Sequence, residues 1–567
     1  MMVGSLPTYV AADYPTKYNV AVYATTSAQN IEVYYCKFSN IYTSAVYCYS
    51  AQGTLIVSDC QFTSPQQNQG YYCQHVDVVT WKNVSVTNCS FINAAPTSPS
   101  FGVPAMLLAL ISGQTTVENN ILDYCGRDNT YSHRLGAIDF YQEVSHFSVR
   151  NNYVTNCLES IMRVDSAKEG RLEGNYFTVW SLATTGYNGV YFQGFYGGST
   201  KNVTVCNNVI DDSFNRLSVA IGVYAYCWQQ PSQNINVYSN DIIGANYAFF
   251  VTNAFSNVLF KDNNITGYYS RVKVTKQFIF PYSAFGTGNE STGAMENLII
   301  SGNNIQPTFG LNSTQVDVST YATSTYSQAG TTAVTFVAPY QTYAVGSQIA
   351  LRFILTGGVG PVPAQNTYTI TSVANSGAVN ATFTVVVATV GTSTGSVDVG
   401  FTGAVNGVRI NGNRIVGGGG AGSLGVYVDT LQTTAAKSGF VYAENNITAS
   451  CDRHYYARNT YRFDLFNNSA QGAFTSYFTN GGNNYYIQRR FNSLSNESRQ
   501  GTRTLVAGTA TVVTAEIEAG DTVIVSRGTA GGTLGNLSVA SIVPGSSFVI
   551  NSDSATDTST VFWEIVH

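Results

Sequence analysis

Charge is scarce in this chain: Asp, Glu, Lys and Arg together make up 10% of its 567 residues, the net charge is −5, and no lysine or arginine run occurs. A protein that grips nucleic acid neutralises phosphates with a basic surface, so DNA and RNA are excluded as partners. Long apolar runs are missing too. The longest, near 103–111, is far too short to cross a bilayer, and MMVGSLPTYV lacks a basic stretch followed by an apolar one. A soluble chain without membrane insertion or a secretion signal is therefore expected. Ten cysteines are few for this length and no CxxC pair marks a zinc site. Buried thiols are expected instead, with no metal and no cofactor.

Tyrosine and phenylalanine are plentiful, at 39 and 30 residues, and occur with abundant Asn, Ser, Thr, Val and Gly. That mixture favours strands and turns, and 567 residues exceed one ordinary core, which points to several domains or to a repeat that grows along one axis. A six-residue pattern, apolar-x-x-Asn-x-apolar, recurs as VYYCKF, VSDCQF, VTNCSF, VENNIL, VRNNYV, LEGNYF, VCNNVI, VYSNDI, FKDNNI, ISGNNI, INGNRI and YAENNI. Its central residues are Cys36, Cys60, Cys89, Asn120, Asn152, Asn175, Asn208, Asn240, Asn263, Asn303, Asn413 and Asn445, followed by a frayed copy near Asn468. The spacing never falls below 23 residues and the excess varies, as one coil of a parallel β-helix requires when its turns accept insertions. A stacked asparagine at a sharp turn tolerates left-handed backbone angles and bonds to identical amides above and below. Cysteines take that position in the first three coils, about 4.8 Å apart, so disulfides are geometrically allowed there.

These coils resemble the pectate-lyase-type right-handed β-helix of bacteriophage tailspikes, over about 1–310 and 401–490. The expected fold is all-β: a right-handed, single-stranded parallel β-helix over 19–313 and 401–495, after an N-terminal cap or stub at 1–18. Residues 314–400 alternate in AVTFVAP, SQIALRFIL, NTYTITSV and ATFTVVVAT, which predicts an inserted small β-barrel or sandwich module. The coil pattern stops near 495. From there GGTLGNLSVASIVPGSSFVINSDSATDTSTVFWEI resembles the C-terminal module of phage tailspikes and tail fibres, which implies a β-sandwich at 496–567 that holds three chains together. No docking domain is recognisable in 1–18, so attachment through another tail or baseplate protein, or through a very short N-terminal stub, is expected.

Between Glu118 and Glu173, 15 of 56 residues are Asp, Glu, Lys or Arg, well above the 10% average. The candidate cleft lies there. Thirteen residues before each centre, an outward column reads Tyr23, Tyr47, Leu107, Asp139, Met162 and Phe250; one step on, an inward column reads Ala24, Cys48, Leu108, Phe140, Arg163 and Val251. Asp139 thus stands among apolar neighbours fit to raise its pKa. Arg163 does not belong in a dry core, so either the register slips there or a salt bridge is buried. Glycoside hydrolysis needs two carboxylates, for which Asp139, Asp165, Glu143 and Glu159 are the candidates. Lyase chemistry instead needs a base such as His133, Tyr141 or an arginine, with Arg134 or Arg163 neutralising a substrate carboxylate. Tyr191, Tyr224 and Trp228 are candidates for stacking on sugar faces.

The resemblance implies a homotrimeric virion tail protein, folded in the host cytoplasm and exposed outside the cell. It would recognise a capsule or lipopolysaccharide and depolymerise it as a hydrolase or a lyase. A non-catalytic adhesin of the same fold, or a bacterial extracellular polysaccharide-processing enzyme, would read alike.

Overall fold

The computed structural model describes residues 20–566 except 25–28, 40–43, 50–52, 65–74, 95–103, 127–135, 142, 159, 182, 184–186, 194–199, 225–231, 253–254, 268–270, 276–294, 308–313, 320, 340–342, 360, 377–379, 401–404, 432–439, 461, 473–475, 482–485, 491–492, 495–498, 515, 518–519 and 545. The stub expected at 1–18 lies outside the described residues. Among those described there is no helix. Three long sheets, two of 14 strands and one of 15, run side by side, and each strand pairs in parallel with its equivalent one coil away. The described residues therefore wind through fourteen coils. Each coil contributes one strand to the first sheet, one to the second and one to the third. Coil 3 consists of Val76–Val79, Asn83–Thr87 and Ser90–Asn93, coil 5 of Ile138–Tyr141, Ser145–Arg150 and Tyr153–Cys157, and coil 6 of Met162–Asp165, Lys168–Glu173 and Tyr176–Val179.

The repeat builds the bend between the second and third sheets. The residue before each centre has a left-handed backbone: Tyr35, Asp59, Asn88, Asn119, Asn151, Gly174, Asn207, Ser239, Asp262, Gly302, Gly412, Asn445 and Asn467 all have φ between +51° and +65°. This corrects the expectation that the stacked asparagine itself takes that angle. The strained residue points out, and the next one turns inward, buried. Asn152 donates its backbone N–H (3.0 Å) and side-chain N–H (2.9 Å) to Oδ1 of Asn175 one coil on, and its amide also donates to the Val117 carbonyl. The same bonds link Asn120, Asn152, Asn175, Asn208, Asn240, Asn263, Asn303, Asn413, Asn446 and Asn468.

Asn446, not Asn445, thus occupies the column, because Ala443 and Thr448 are the buried flanks. Tyr442 and Ile447 imitated the apolar flanks one residue early. Asn468 is a full member of the column, and the shortest interval is 22 residues. Cysteine substitutes in the early coils because its thiol reaches the same carbonyl position: Cys60 donates to Val33 and Cys89 to Val57. The eight described cysteines are free.

Inward side chains fill the tube with repeating files, such as Phe38, Phe62 and Phe91, whose rings stack at 4.9 and 4.6 Å. Coil 11 is interrupted. Its first strand, Thr314–Ser319, which the sequence reading placed in the inserted segment, pairs in the first sheet with Leu424–Asp429. The chain then leaves as a four-stranded antiparallel sheet of Tyr321–Val337, Gln348–Val359, Asn366–Ala374 and Thr382–Gly400, and curls around Phe336, Leu351, Ile370, Phe383 and Val397. Arg352 ties this module to the helix, since its guanidinium pairs with Asp398 of the module and with Asp429 of coil 12.

From Gln500 two three-stranded antiparallel sheets pack against each other over Val512, Phe548, Ile550, Val561 and Trp563. Asp557 knots this sandwich. Burial alone would raise its carboxyl, but hydrogen bonds from Ser559, Ser552 and Arg527 hold it well below the usual carboxylate range. A carboxylate whose pKa is lowered by folding stabilises above its unfolded pKa of about 4 and loses that contribution as pH falls through the folded value. Acid titration followed by Trp fluorescence should show the sandwich loosening below about pH 4, with Asp557→Asn already loosened at neutral pH.

Candidate functional site

The first sheet carries on its outward face a column that crosses every coil: Tyr23, Tyr47, Asp77, Leu107, Asp139, Arg163, Tyr191, Gly222, Phe250, Lys273, Asp317, Tyr427, Tyr456 and Thr479. Two expectations are corrected by this register. Arg163, not Met162, is the outward residue of coil 6, and Met162 faces the core opposite Ile138 and Val190. Asp77, absent from the sequence reading, belongs to the column at coil 3. Both misassignments have one cause. Asp77 stands twelve residues before Cys89 and Arg163 twelve before Asn175, against thirteen from Asp139 to Asn152, because the turn from first to second sheet is one residue shorter in coils 3 and 6.

Asp139 and Arg163 meet across neighbouring coils in a bidentate ion pair, Nε to Oδ1 and Nη2 to Oδ2, both at 2.8 Å. The register thus shifts and the salt bridge is also buried: Asp139 is 0% and Arg163 7% exposed. The neighbour of Asp139 is a cation, which replaces the apolar surroundings read from the sequence. Burial works against the charge on Arg163, yet Asp139, Tyr191 and Asp165 together hold its pKa above the ordinary arginine value. The guanidinium also lies 4.9 Å from the centre of the Tyr141 ring. Asp165, one column over on the same strand, is fully buried and accepts a bond from Ser166 Oγ at 3.0 Å.

Tyr191 continues the column but is buried in a small apolar cluster with Val219 and Phe250. Glu143 stands apart, exposed on the turn out of the sheet and ion-paired with Lys168. Tyr224 lies on the strand of coil 8 that pairs with coil 7, with Gln193 as its partner. His133, Arg134, Glu159 and Trp228 lie outside the described residues. The structure therefore brings Asp139, Arg163, Tyr141, Asp165 and Tyr191 onto one face and leaves Glu143 off it.

Asp77 differs from its neighbours in the column. It is 6% exposed, sits between Tyr47 and Leu107, and its Oδ1 is buried with no hydrogen-bond donor among the described residues. Burial pushes its carboxyl up to about 7. Beside it on the same coil, His75 is fully buried, bonded through Nε2 to Asn93 at 2.9 Å, and burial pulls it down to about 4. Among the described residues no group of three or more His, Cys, Asp or Glu is arranged to hold a metal ion.

Residues 20–192 match the family model described as right-handed beta helix region, and residues 497–566 match the C-terminal domain of K1 capsule-specific polysaccharide lyase. The chain is a right-handed parallel β-helix protein with antiparallel modules. No curated protein matches it. Among solved structures it is similar to the tailspike of Pseudomonas phage phi297, at 10% identity over 91% of this chain and 67% of that one, with a TM-score of 0.41. It is also similar to a double mutant of the tailspike of E. coli bacteriophage HK620, at 10% identity over 91% and 87% of the two chains, with a TM-score of 0.30. A further HK620 tailspike mutant, in complex with a hexasaccharide, is 12% identical over 65% of this chain and 86% of that one, with a TM-score of 0.24.

Proposed function

We propose that this chain is a phage tailspike or tail-fibre receptor-binding protein that recognises a bacterial surface polysaccharide along the outward face of its first sheet. The observation that carries the proposal is a module matching the C-terminal domain of a capsule-specific lyase, mounted on a β-helix whose first sheet sets charged and aromatic side chains in one column. A column with a repeat of about 4.8 Å offers graded separations between carboxylate, guanidinium and ring, which suits a polymer lying along it. In this reading the chain works as a homotrimer held by its C-terminal sandwich, attached to other tail or baseplate proteins of the virion. It folds in the host cytoplasm and acts outside the next cell.

Depolymerisation is the second step of the proposal. Proton transfer falls to Asp165 rather than Asp139, because a carboxylate engaged at both oxygens by Arg163 is a weak base and a poor proton donor. Glu143, on the turn out of the sheet, and Glu159 are secondary candidates, with Arg134, Arg163, Tyr141 and His133 as substrate-binding groups and Tyr191, Tyr224 and Trp228 as aromatic ones. The buried ion pair also favours a second reading, a non-catalytic adhesin in which Asp139 and Arg163 shape the binding face.

Incubation with purified capsular polysaccharides and lipopolysaccharides tests both. The expected result is retention on one polymer together with new reducing ends or unsaturated uronic acids, lost in Asp165→Asn. Binding without products selects the adhesin. Failure to retain any of the polymers overturns the proposal.

A further inference from the structure

Coils 1 to 3 hold a feature that the polysaccharide reading leaves unused. On their outward first-sheet face Tyr23, Tyr47 and Asp77 follow one another in register, and Tyr49 stands in the next column of coil 2. The rings of Tyr23 and Tyr47 stack in parallel, 5.7 Å apart and 7° from coplanar, with Tyr23 64% and Tyr49 47% exposed. Against these rings stands the carboxylate of Asp77, with one oxygen that receives no donor among the described residues.

We infer that coils 1 to 3 form a separate carbohydrate subsite, in which Asp77 accepts hydroxyl hydrogen bonds from an uncharged sugar ring packed against Tyr47 and Tyr49. The inference rests on the reading of the chain as a polysaccharide binder. Three observations argue for it. A buried polar group without a partner is costly, so a ligand donor would relieve it. Exposed tyrosines present an apolar body with a polar edge, which matches the C–H face and the hydroxyl rim of a sugar. The described outward first-sheet positions of coils 1 to 4 carry no lysine or arginine: they are Tyr23, Tyr47, Asp77 and Leu107 in one column and Tyr49, Val79 and Ala109 in the next. An acidic sugar would find a carboxylate and no cation, so the subsite selects neutral rings.

The cost has a sign. Folding raises the Asp77 pKa, so the folded chain holds a proton that the unfolded chain has released, and stability falls as pH rises from about 4 to about 7. Asp77→Leu removes that cost and repeats the side chain that stands next in the column at Leu107. The variant should therefore melt several degrees higher than the wild type at about pH 8. A residue that held the fold together would behave in the opposite way.

Saturation-transfer NMR on the full chain supplies the binding test, with methyl β-galactoside and methyl α-glucoside as neutral probes and glucuronic acid as the acidic one. The expected result is transfer to a neutral glycoside, absent for glucuronic acid and lost in both Asp77→Leu and Tyr47→Ala. Transfer that survives both substitutions, transfer to glucuronic acid alone, or none at all overturns the subsite. Retention of the polysaccharide by Asp77→Leu alongside lost glycoside transfer keeps both proposals. Retention of no polymer by the wild type removes the functional reading while leaving the glycoside result to stand alone.

Discussion

Arg163→Met is expected to destabilise the β-helix by about 3–5 kcal/mol, the cost of leaving a buried carboxylate without its cation. The size follows from geometry. Asp139 is fully buried and both of its oxygens are bonded to one guanidinium, so the lost partner is not replaced by exposure to bulk solvent. The pair as a unit is another matter. Taking two charges out of water offsets most of their attraction, so Arg163→Met combined with Asp139→Leu should return close to wild-type stability. Urea unfolding of the two single variants and the double variant measures this directly. A double variant destabilised by the sum of the two single variants would mean that the two side chains act independently and that the ion pair is not what holds coils 5 and 6 in register.

The second large effect is expected at the asparagine column. Asn208→Leu removes the acceptor for the Asn175 backbone and side-chain N–H groups, and it also removes the donor to the Leu172 and Cys206 carbonyls. Each buried orphan costs about 1–3 kcal/mol, so a total of about 3–6 kcal/mol is expected after partial relaxation. An exposed ladder provides the control. Asn234 has φ +55° and bonds to Asn202 and Asn257 on the surface. Asn234→Gly keeps the backbone angle and leaves its neighbours to water, so a change within about 0.5 kcal/mol is expected. Comparable losses at the two positions in thermal unfolding would show that burial of the column is not the source of its stability.

The sequence made the winding legible because stacking imposes equivalence: an amide that bonds to its counterpart one coil away must recur at the same place in the tube. Where that constraint weakened, the expectation failed. At Asn445 and Asn446 two adjacent asparagines both fitted, and only the burial of Ala443 and Thr448 decides between them. Thr448 is tolerated because its hydroxyl bonds to His454 Nδ1 at 2.8 Å.

The candidate site was less legible, since its outward column is held in register by backbone pairing and not by a repeated side chain. One residue fewer in the turns of coils 3 and 6 moved Asp77 and Arg163 out of the counted frame. The misplaced arginine was still a usable signal, because a charge counted into a dry core required a shift or a partner, and it has both. Asp77 gave no such warning. It follows His75 at a place where the other counted coils have a small residue, so the strand VDVV lacks the sign that marks its neighbours.

One measurement bears on the central claim most directly: a crystal structure of the protein with an oligosaccharide prepared from the polysaccharide it retains. The account predicts sugar density along the outward face of the first sheet, over the column that contains Asp139, Arg163 and Tyr191. Density confined to the inserted four-stranded module or to the third sheet, with this column bare, would contradict it.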